Sequence, residues 1–581
     1  MASDGSAGNV RERASFGDAR EAAEFVSMLE KFERGEIGSD AFRTYRLSYG
    51  IYGQRQDGVH MVRVKIPQGI LSSTQLRVLA DASERWSRGF GHLTTRQNVQ
   101  FHFVKPESVG PMMDAIAASG LTTREACSHT VRNVTACAYA GVCPTEPFDA
   151  TPYGEMVTRF FLRAPLGSGL PRKFKINLSG CADDCAQGAI NDIGILARMQ
   201  DGRRGFRLTA AGGLATLPRS GGVLHEFLPA EDLLSACEAI LRVFNAEGNR
   251  KNLQKARLKW VIHRLGWEGF RALYQAQFDA VKAEGGRPLP PLPAEEQAPP
   301  RPTASAPLVQ LSLGRFDRWR RTNVRAQRQP GYVAATAWLK LGDVSAAQLR
   351  AAADLSERHG DGTARTTKEQ NLLFRWIRET EAPAFFEGLS AVGLGEPDAG
   401  TVADVVSCPG AESCRIAVTA SRGVAQLLGE HLRERGAADG AAAAADIKVS
   451  GCPNGCGQHH VAAIGLQGGV RRLGERLVPQ YLVTIGGGIS GEGASFGRLA
   501  GKVPARRMAE AVDRLLALYE QRRQEGESPS QFFRRLPLEE AKAALADLCA
   551  LDEASARPED FVDLGSSVEF KVVTLDGECA A

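Results

Sequence analysis

Eight cysteines fall into two quartets with the same spacing, C-x5-C followed further along the chain by C-x3-C. The first quartet is Cys137, Cys143, Cys181 and Cys185, and the second is Cys408, Cys414, Cys452 and Cys456. Four thiolates that converge from two loops can hold a zinc ion or a 4Fe-4S cluster. Structural zinc usually takes short knuckles in small domains, so this spacing in a long chain favours iron–sulfur over zinc. Two groups of buried structural thiols are the weaker alternative.

Two lysines, Lys173 and Lys175, lie two residues apart in the strand-like run "KFKINLS". Residues at that spacing share one face of a strand, so both ammonium groups would face the same space. Such crowding destabilises the strand unless an anion lies between the charges. On these residues alone, a solvated basic strand is the preferred interpretation.

The composition limits the classes of protein. The 581 residues are 43% apolar and 24% charged, which is ordinary for a soluble protein of several domains. No apolar run approaches the roughly 20 residues that cross a bilayer, and the N-terminus lacks a secretory signal, so we expect a cytoplasmic protein without a membrane partner. In that reducing compartment, regularly spaced cysteines should be metal ligands. The net charge of +4 lacks the basic tract of a nucleic-acid-binding protein and suits small anions and an acidic protein partner.

The segments that must position these residues also occur twice. "STQLRVLADASERW" from Ser73 is echoed by "AAQLRAAADLSERH" from Ala346, and "TVRNVTACAYAGVC" from Thr130 is echoed by "TVADVVSCPGAESC" from Thr401. A Pro- and Ala-rich segment, residues 285–307, separates the copies and should be extended. The shared order predicts a duplicated domain pair with approximate two-fold symmetry. Within each copy, strand and helix patterns follow one another, which predicts an α+β fold.

The second quartet resembles the cluster signature of the sirohaem-dependent nitrite and sulfite reductase family. The resemblance rests on "CPGAESC" and "SGCPNGC" and extends from "GIYGQRQDGVHMVRVKIP" to the helix that ends near residue 524. It implies an internally duplicated fold with two ferredoxin-like half-domains and two sirohaem/iron–sulfur domains. The implied divisions are an N-terminal arm (1–45), ferredoxin-like half-domain 1 (46–115), sirohaem/iron–sulfur-type domain 1 (120–284), a Pro-rich linker (285–307), ferredoxin-like half-domain 2 (308–395), sirohaem/iron–sulfur domain 2 (400–526) and a C-terminal tail (527–581).

The same resemblance implies the functional residues. The ligands of the 4Fe-4S cluster would be Cys408, Cys414, Cys452 and Cys456, with Cys456 bridging to the sirohaem iron. The substrate anion would be bound by Arg63, Arg132, Lys173 and Lys175, and sirohaem by Arg96, Gly486, Gly487 and Gly488. The glycine run also fits G-x-G-x-x-G, but no βαβ pattern surrounds it, so a dinucleotide site is not expected.

The first quartet departs from most assimilatory members of this family, which have lost these cysteines, and is closer to the dissimilatory sulfite reductases. We interpret Cys137, Cys143, Cys181 and Cys185 as ligands of a second cluster, electron-storing or structural, with or without a second sirohaem. A second active site is not expected, because the repeat positions that match Arg132, Lys173 and Lys175 are Ala403, Ala444 and Asp446.

The resemblance implies six-electron reduction of sulfite to sulfide. Electrons would come from a separate ferredoxin or flavoprotein, because no flavin or nicotinamide motif is found. Reduction of nitrite to ammonia at the same site is the alternative. Nitrite reductases of the family tend to carry Asn where Lys175 stands, so "KFK" favours the sulfite dianion. A haem-free iron–sulfur carrier would explain the cysteines but not the cations, and a zinc-stabilised binding module would leave the chain length unexplained.

Overall fold

The computed structural model describes residues 13–294, 298–299, 313–573 and 575. The chain forms two compact units. The first comprises Met1–Tyr52, Gly58–Gly212 and Gly221–Pro397, and the second comprises Gly53–Asp57, Gly213–Ser220 and Asp398–Ala581. Two short segments of the N-terminal half therefore belong to the second unit.

The secondary structure alternates between helices and short strands. The helices are α1 (Arg20–Glu33), α2 (Ser39–Ser48), α3 (Ser73–Trp86), α4 (Pro106–Ala118), α5 (Thr151–Phe161), α6 (Leu233–Glu247), α7 (Leu258–Ala283), α8 (Leu313–Asn323), α9 (Ala346–His359), α10 (Ala382–Ser390), α11 (Ser421–Glu434), α12 (Met508–Arg522), α13 (Pro529–Arg535) and α14 (Leu538–Cys549). The strands are β1 (Ile51–Gly53), β2 (His60–Val64), β3 (Ile70–Ser72), β4 (Phe90–Leu93), β5 (Val99–Val104), β6 (Thr135–Ala136), β7 (Ile176–Ser179), β8 (Ile193–Gln200), β9 (Arg203–Ala210), β10 (Gly222–Pro229), β11 (Val324–Ala326), β12 (Tyr332–Ala337), β13 (Asp343–Ser345), β14 (Thr363–Thr366), β15 (Leu372–Arg378), β16 (Val406–Ser407), β17 (Ile447–Ser450), β18 (Ile464–Leu473), β19 (Arg476–Ile485), β20 (Gly488–Ser490), β21 (Gly493–Ser495) and β22 (Arg498–Pro504).

Two related sheets exchange one strand each. One sheet has the order β1-β2-β5-β4-β13 and the other has the order β11-β12-β15-β14-β3. β13 pairs antiparallel with β4, with Asp343 opposite His92, and β3 pairs antiparallel with β14, with Ser72 opposite Thr363. Each sheet is therefore completed by a strand of the other copy. This reciprocal exchange is the two-fold relation that the sequence repeats predict.

The exchanged strands lead directly into helices α3 and α9, which begin alike. Ser72 and Ser345 cap these helices, and each forms a capping box with the glutamine three residues further on. Apolar residues of both helices, including Leu76 and Leu349, lie in one core that both sheets share. Reciprocal surface ion pairs also link the helices: Arg77 with Asp354 and Glu357, and Arg350 with Asp81 and Glu84.

A second kind of sheet occurs once in each unit. Its order is β10-β9-β8-β7-β6 in the first unit and β16-β17-β18-β19-β22 in the second. In both sheets three strands run parallel, β6-β7-β8 or β16-β17-β18, and the remaining pairs are antiparallel. β7 and β17 are buried along their whole length, as expected of parallel strands covered on both faces. The predicted duplicated α+β fold is confirmed.

Two predicted end segments contain regular structure. Residues 527–581, predicted as a C-terminal tail, include α13 and α14, and α14 packs against β22 with Leu545 fully buried. The predicted arm, residues 1–45, includes α1, which buries Phe25. Residues 295–297 and 300–307 of the predicted linker, and Cys579, lie outside the described residues. Within the described ranges, no helix combines the length and apolar character needed to cross a bilayer.

Candidate metal centres and anion site

The second quartet lies at the ends of two adjacent parallel strands in the second unit. Cys408 directly follows β16, and Cys452 lies two residues past β17. Both thiols are buried, whereas Cys414 is half-buried and Cys456 is exposed. Burial, and then the nearby thiols of Cys456 and Cys408, raise the pKa of Cys452 to about 12. Three thiols therefore share one environment, which fits a centre held by thiolates.

A segment from the N-terminal half holds the first loop of this quartet. The Arg55 backbone N–H donates to the Ser413 carbonyl at 3.0 Å, and Arg55 Nη2 donates to the Ala417 carbonyl at 2.7 Å. Gln56 Nε2 donates to the Glu412 carbonyl at 2.9 Å. Since these bonds fix the backbone that carries the first two thiols, we call Arg55 and Gln56 the clamp of the second quartet.

The predicted glycine run lies against the loop that follows Cys456. Gly486 has a φ of +83°, in the left-handed region that favours glycine. A Cβ on Gly487 would lie 2.7 Å from the carbonyl oxygens of Ala462 and His460. Close packing of two backbones therefore requires glycine at these positions, and the contact of Gly486, Gly487 and Gly488 with sirohaem stays a prediction.

The first quartet has the equivalent position in the first unit. Cys137 directly follows β6, and Cys181 lies two residues past β7. The Sγ atoms of Cys181 and Cys185 are 3.6 Å apart. Contact with Cys137 raises the pKa of Cys185 to about 12, and contact with Cys181 raises the pKa of Cys143. All four thiols of this quartet therefore meet in one place.

The first quartet also has a clamp, which comes from the C-terminal half. The Arg328 backbone N–H donates to the Val142 carbonyl at 2.8 Å, and Gln329 Nε2 donates to the Gly141 carbonyl at 3.1 Å. Two further arginines of the same half reinforce the loop: Arg365 and Arg375 each donate to the Ala140 carbonyl at 2.9 Å.

The two clamps use matching positions. Val142 and Ser413 each precede the second cysteine of their quartet by one residue, and Gly141 and Glu412 precede it by two. The sequence analysis did not identify either clamp. The signal that could have revealed them is the recurrence of "GQRQDG", from Gly53, in "AQRQPG" at 326–331.

Tyr139 distinguishes the first quartet from the second. Its side chain packs against Ala334 and Leu373, and the Arg325 guanidinium lies 5.4 Å from the centre of its ring. The matching position after Cys408 is Gly410, whose φ is +58°. A large ring therefore lies beside the first quartet, whereas the matching position beside the second quartet has no side chain.

Arg63 and Arg132 converge on one backbone oxygen in the first unit. Arg63 Nη1 donates to the Ala126 carbonyl at 3.4 Å, and Arg132 Nη1 donates to the same oxygen at 3.1 Å. Both side chains are half-buried. Two guanidinium groups therefore lie close together here, and their binding of an anion stays a prediction.

Arg96 lies close enough to this pair to be affected by its charge. Arg96 donates to the Asn191 side-chain oxygen at 2.8 Å and to the Asn133 carbonyl at 2.7 Å. Burial, and then the charge of Arg132, lower the pKa of Arg96 to about 9. A bound carboxylate or substrate anion would relieve this repulsion.

Lys173 and Lys175 flank a fully buried phenylalanine, and both are half-buried. This alternation places the two lysines on the same side, as the sequence predicts. The Lys175 backbone N–H donates to Asp192 Oδ2 at 2.8 Å. The adjacent Asn191 accepts a hydrogen bond from Arg96, so the Asn191-Asp192 pair connects the lysine segment to Arg96.

Two further cations near Asp192 were missed from the sequence. Arg257 forms a buried ion pair with Asp192 at 2.8 Å. Lys259 is also buried, and burial followed by repulsion from Arg257 lowers its pKa to about 7. Both lie in the basic stretch "NRKNLQKARLKW", where no spacing distinguishes buried from exposed cations.

The predicted residues thus divide between the units. The first unit holds Arg63, Arg96, Arg132, Lys173, Lys175, Cys137, Cys143, Cys181 and Cys185, and the second holds Cys408, Cys414, Cys452, Cys456, Gly486, Gly487 and Gly488.

Sequence profiles of two protein domains each match the chain twice. The profile described as "Nitrite and sulphite reductase 4Fe-4S domain" matches residues 127–281 and 399–546. The profile described as "Nitrite/Sulfite reductase ferredoxin-like half domain" matches residues 52–119 and 325–392. Each copy of the first profile contains one complete cysteine quartet.

Individual relatives agree with these profiles. A ferredoxin–nitrite reductase from Leptolyngbya laminosa is 30% identical over 460 residues, which cover 76% of this chain and 84% of that protein. Sulfite reductase (ferredoxin) 1 from Mycolicibacterium paratuberculosis is 28% identical over 516 residues, which cover 85% and 88%. The structure of the NirA protein from Mycobacterium tuberculosis matches with a TM-score of 0.75 at 26% identity, covering 90% of this chain and 97% of that one.

Proposed function

Since the chain belongs to the nitrite and sulphite reductase family, we propose that it reduces sulfite to sulfide with six electrons supplied by a ferredoxin. As a member of this family it is an oxidoreductase with a sirohaem and a 4Fe-4S cluster as cofactors. The observation that carries the sulfite assignment is Lys175, which adds a positive charge to the group formed with Arg63, Arg132 and Lys173. A dianion gains more from that charge than a monoanion does.

The cations have two tasks. Arg63 and Arg132 bind and orient the anion, because the Ala126 carbonyl fixes both side chains and guanidinium groups stay charged near neutral pH. Lys173 and Lys175 donate protons, since an ammonium group offers three N–H donors and regains a lost proton from water. When bound, the sirohaem and its cluster would transfer the electrons of the ferredoxin to the anion.

The second quartet would hold the cluster of the active site. Its buried thiols, Cys408 and Cys452, fit ligands that must be shielded from water, and Cys414 lies in the loop fixed by the clamp. The exposed thiol of Cys456 fits a ligand that must also reach the sirohaem iron.

Nitrite is the second candidate substrate. The relative from Leptolyngbya laminosa is named a ferredoxin–nitrite reductase, whereas the relative from Mycolicibacterium paratuberculosis is named a ferredoxin sulfite reductase. These names support a ferredoxin as the donor in either case.

Anaerobic turnover with reduced ferredoxin tests the substrate. We expect a larger kcat/KM for sulfite than for nitrite, and Lys175→Asn should shift the ratio toward nitrite by about tenfold, equivalent to about 1.4 kcal/mol in transition-state binding. Lys251→Asn makes the same change at an exposed position and should leave the ratio unchanged. A wild-type preference for nitrite, with the same ratio in Lys175→Asn, would refute the sulfite assignment.

A further inference from the structure

We propose that the first quartet, Cys137, Cys143, Cys181 and Cys185, is a second metal centre that holds a 4Fe-4S cluster without a haem. The sequence pattern left the content of this site open between a cluster, a cluster with sirohaem, a zinc ion and buried thiols. The contacts around the two quartets decide among these possibilities.

The first quartet is built on the same elements as the second. In both cases one cysteine directly follows a short parallel strand, β6 or β16, and another lies two residues past the next strand, β7 or β17. The parallel pairing then continues to β8 or β18. The thiols of both quartets therefore leave the same edge of the same kind of sheet.

The clamps are the second observation, and they are independent of the cysteine spacing. Arg328 and Gln329 bind the carbonyls one and two residues before Cys143, and Arg55 and Gln56 bind the carbonyls at the same two positions before Cys414. Buried structural thiols do not require a loop of fixed shape. A cluster does, because its ligands must meet four defined corners.

The thiols themselves converge. Cys137 and Cys181 are buried, and Cys181 Sγ lies 3.6 Å from Cys185 Sγ. In a cube each thiolate binds its own iron, so loading must separate these two sulfurs. Cys143 and Cys185 are only half-buried, which leaves their side chains room to rotate outward. A single zinc ion would keep the sulfurs about 3.8 Å apart, at the edge of a tetrahedron with bonds of about 2.3 Å. The spacing and clamp shared with the second quartet favour the cube.

Two features favour a cluster without a haem partner. The ring of Tyr139 occupies the place of Gly410 and is held by Ala334, Leu373 and Arg325. The repeat positions that match Arg132, Lys173 and Lys175 carry no cation, being Ala403, Ala444 and Asp446. The first quartet thus keeps four thiols for a cluster, whereas the second half of the sequence lacks the cations that a second anion site would take from these matching positions.

Metal analysis of the anaerobically purified holoprotein tests the proposal. We expect about nine iron and eight acid-labile sulfide per chain, from two cubes and one sirohaem. The double variant Cys181→Ser, Cys185→Ser should fall to about five iron and four sulfide. It should keep the red absorption band of sirohaem and more than half of the wild-type turnover. Electron paramagnetic resonance of the reduced proteins should show two cluster signals in the wild type and one in the variant.

Two results would overturn the proposal. One is a wild-type content of about five iron, with or without one zinc ion per chain, and this result does not depend on whether the variant folds. The other is an unchanged iron and sulfide content in a soluble double variant. Failure of the proposed function would instead appear as absent sulfite and nitrite turnover with the iron content intact, so the two outcomes are distinguishable.

Discussion

The two cysteine quartets are alike in backbone and different in surroundings. Both follow the ends of parallel strands, and both have a first loop fixed by an Arg-Gln pair from the opposite half of the sequence. Only the first half, however, carries Arg132, Lys173 and Lys175. Under the proposed assignments, duplication preserved four metal ligands in both copies, whereas the cations predicted to bind the substrate anion stayed in one. Metal ligation and substrate binding would then be separable properties of this fold.

Replacing the three cations of the first copy with the residues at the matching positions of the second copy should abolish substrate binding. The triple variant Arg132→Ala, Lys173→Ala, Lys175→Asp should lower kcat/KM for sulfite by at least about 10³, since one well-placed stabilising donor is worth about 10²–10³ in rate. Steady-state turnover with reduced ferredoxin measures this loss, and the sirohaem absorption should remain. Lys251→Asp is the control for a charge reversal on the surface of the same unit. A loss of less than tenfold would mean that these cations do not bind the anion.

The clamps offer a matched pair of variants. Arg55→Met should lower both sirohaem occupancy and turnover by about tenfold, because a lost hydrogen bond from a charged group costs about 1.5–3 kcal/mol. Arg328→Met keeps the backbone N–H bond to Val142 but removes the bond from Nη2 to the Gly141 carbonyl at 3.4 Å, and it should lower iron and sulfide by up to about four per chain. It should change turnover by less than twofold. Iron, sulfide, absorption and turnover measurements on both variants test these expected differences. Equal effects on turnover would show that the two centres are coupled.

Tyr139 and Gly410 provide a test of what excludes a second haem. Tyr139→Gly should lower the free energy of unfolding by about 3–5 kcal/mol, because it leaves a cavity among Ala334, Leu373 and Arg325. Urea denaturation under anaerobic conditions measures that change. The sirohaem content should stay at one per chain, since Ala403, Ala444 and Asp446 still provide no cation for a second anion site. Two sirohaems per chain would show that the ring alone excludes the second one.

The last prediction lies outside the comparison of the two quartets. Lys259 reports the crowding of cations in the first unit alone. Its pKa is lowered from 10.5 to about 7 by burial and by Arg257. The folded chain therefore binds fewer protons than the unfolded chain between these pH values, and the free energy of unfolding rises with pH across that window. Lys259→Met should remove this rise, which the pKa shift puts at up to about 4 kcal/mol between pH 7 and pH 10, measured by urea denaturation. Lys251→Met, at an exposed position, should leave the slope unchanged.

Features that depend on short stretches of sequence were predicted well. The repeats predicted the duplicated α+β fold, the quartet signature predicted the family and its cofactors, and these predictions are confirmed. The alternation around Phe174 also placed Lys173 and Lys175 on one side. The roles of the individual anion-binding residues remain predictions.

Features that depend on distant contacts were missed. Gln56 and Glu412 are 356 residues apart, so no local pattern links the clamp to its loop. Arg257 and Lys259 look like any other basic residues of a helix start, and only the packing around Asp192 buries them. The C-terminal helices were missed because the sequence echoes recognised between the copies end before residue 527, although the domain profile extends to residue 546.

The strand exchange between the two related sheets has a consequence for any attempt to divide this polypeptide. His92 and Asp343, which face each other across the exchanged pair, are 251 residues apart in the sequence. The sheet of the N-terminal half can therefore be completed only after β13 of the other half has been synthesised. A fragment ending between the copies would present β4 as an open edge, and its counterpart would do the same with β14. Such edges recruit other strands. Expressed from two genes, the halves should therefore be insoluble apart and combine only as an obligate heterodimer.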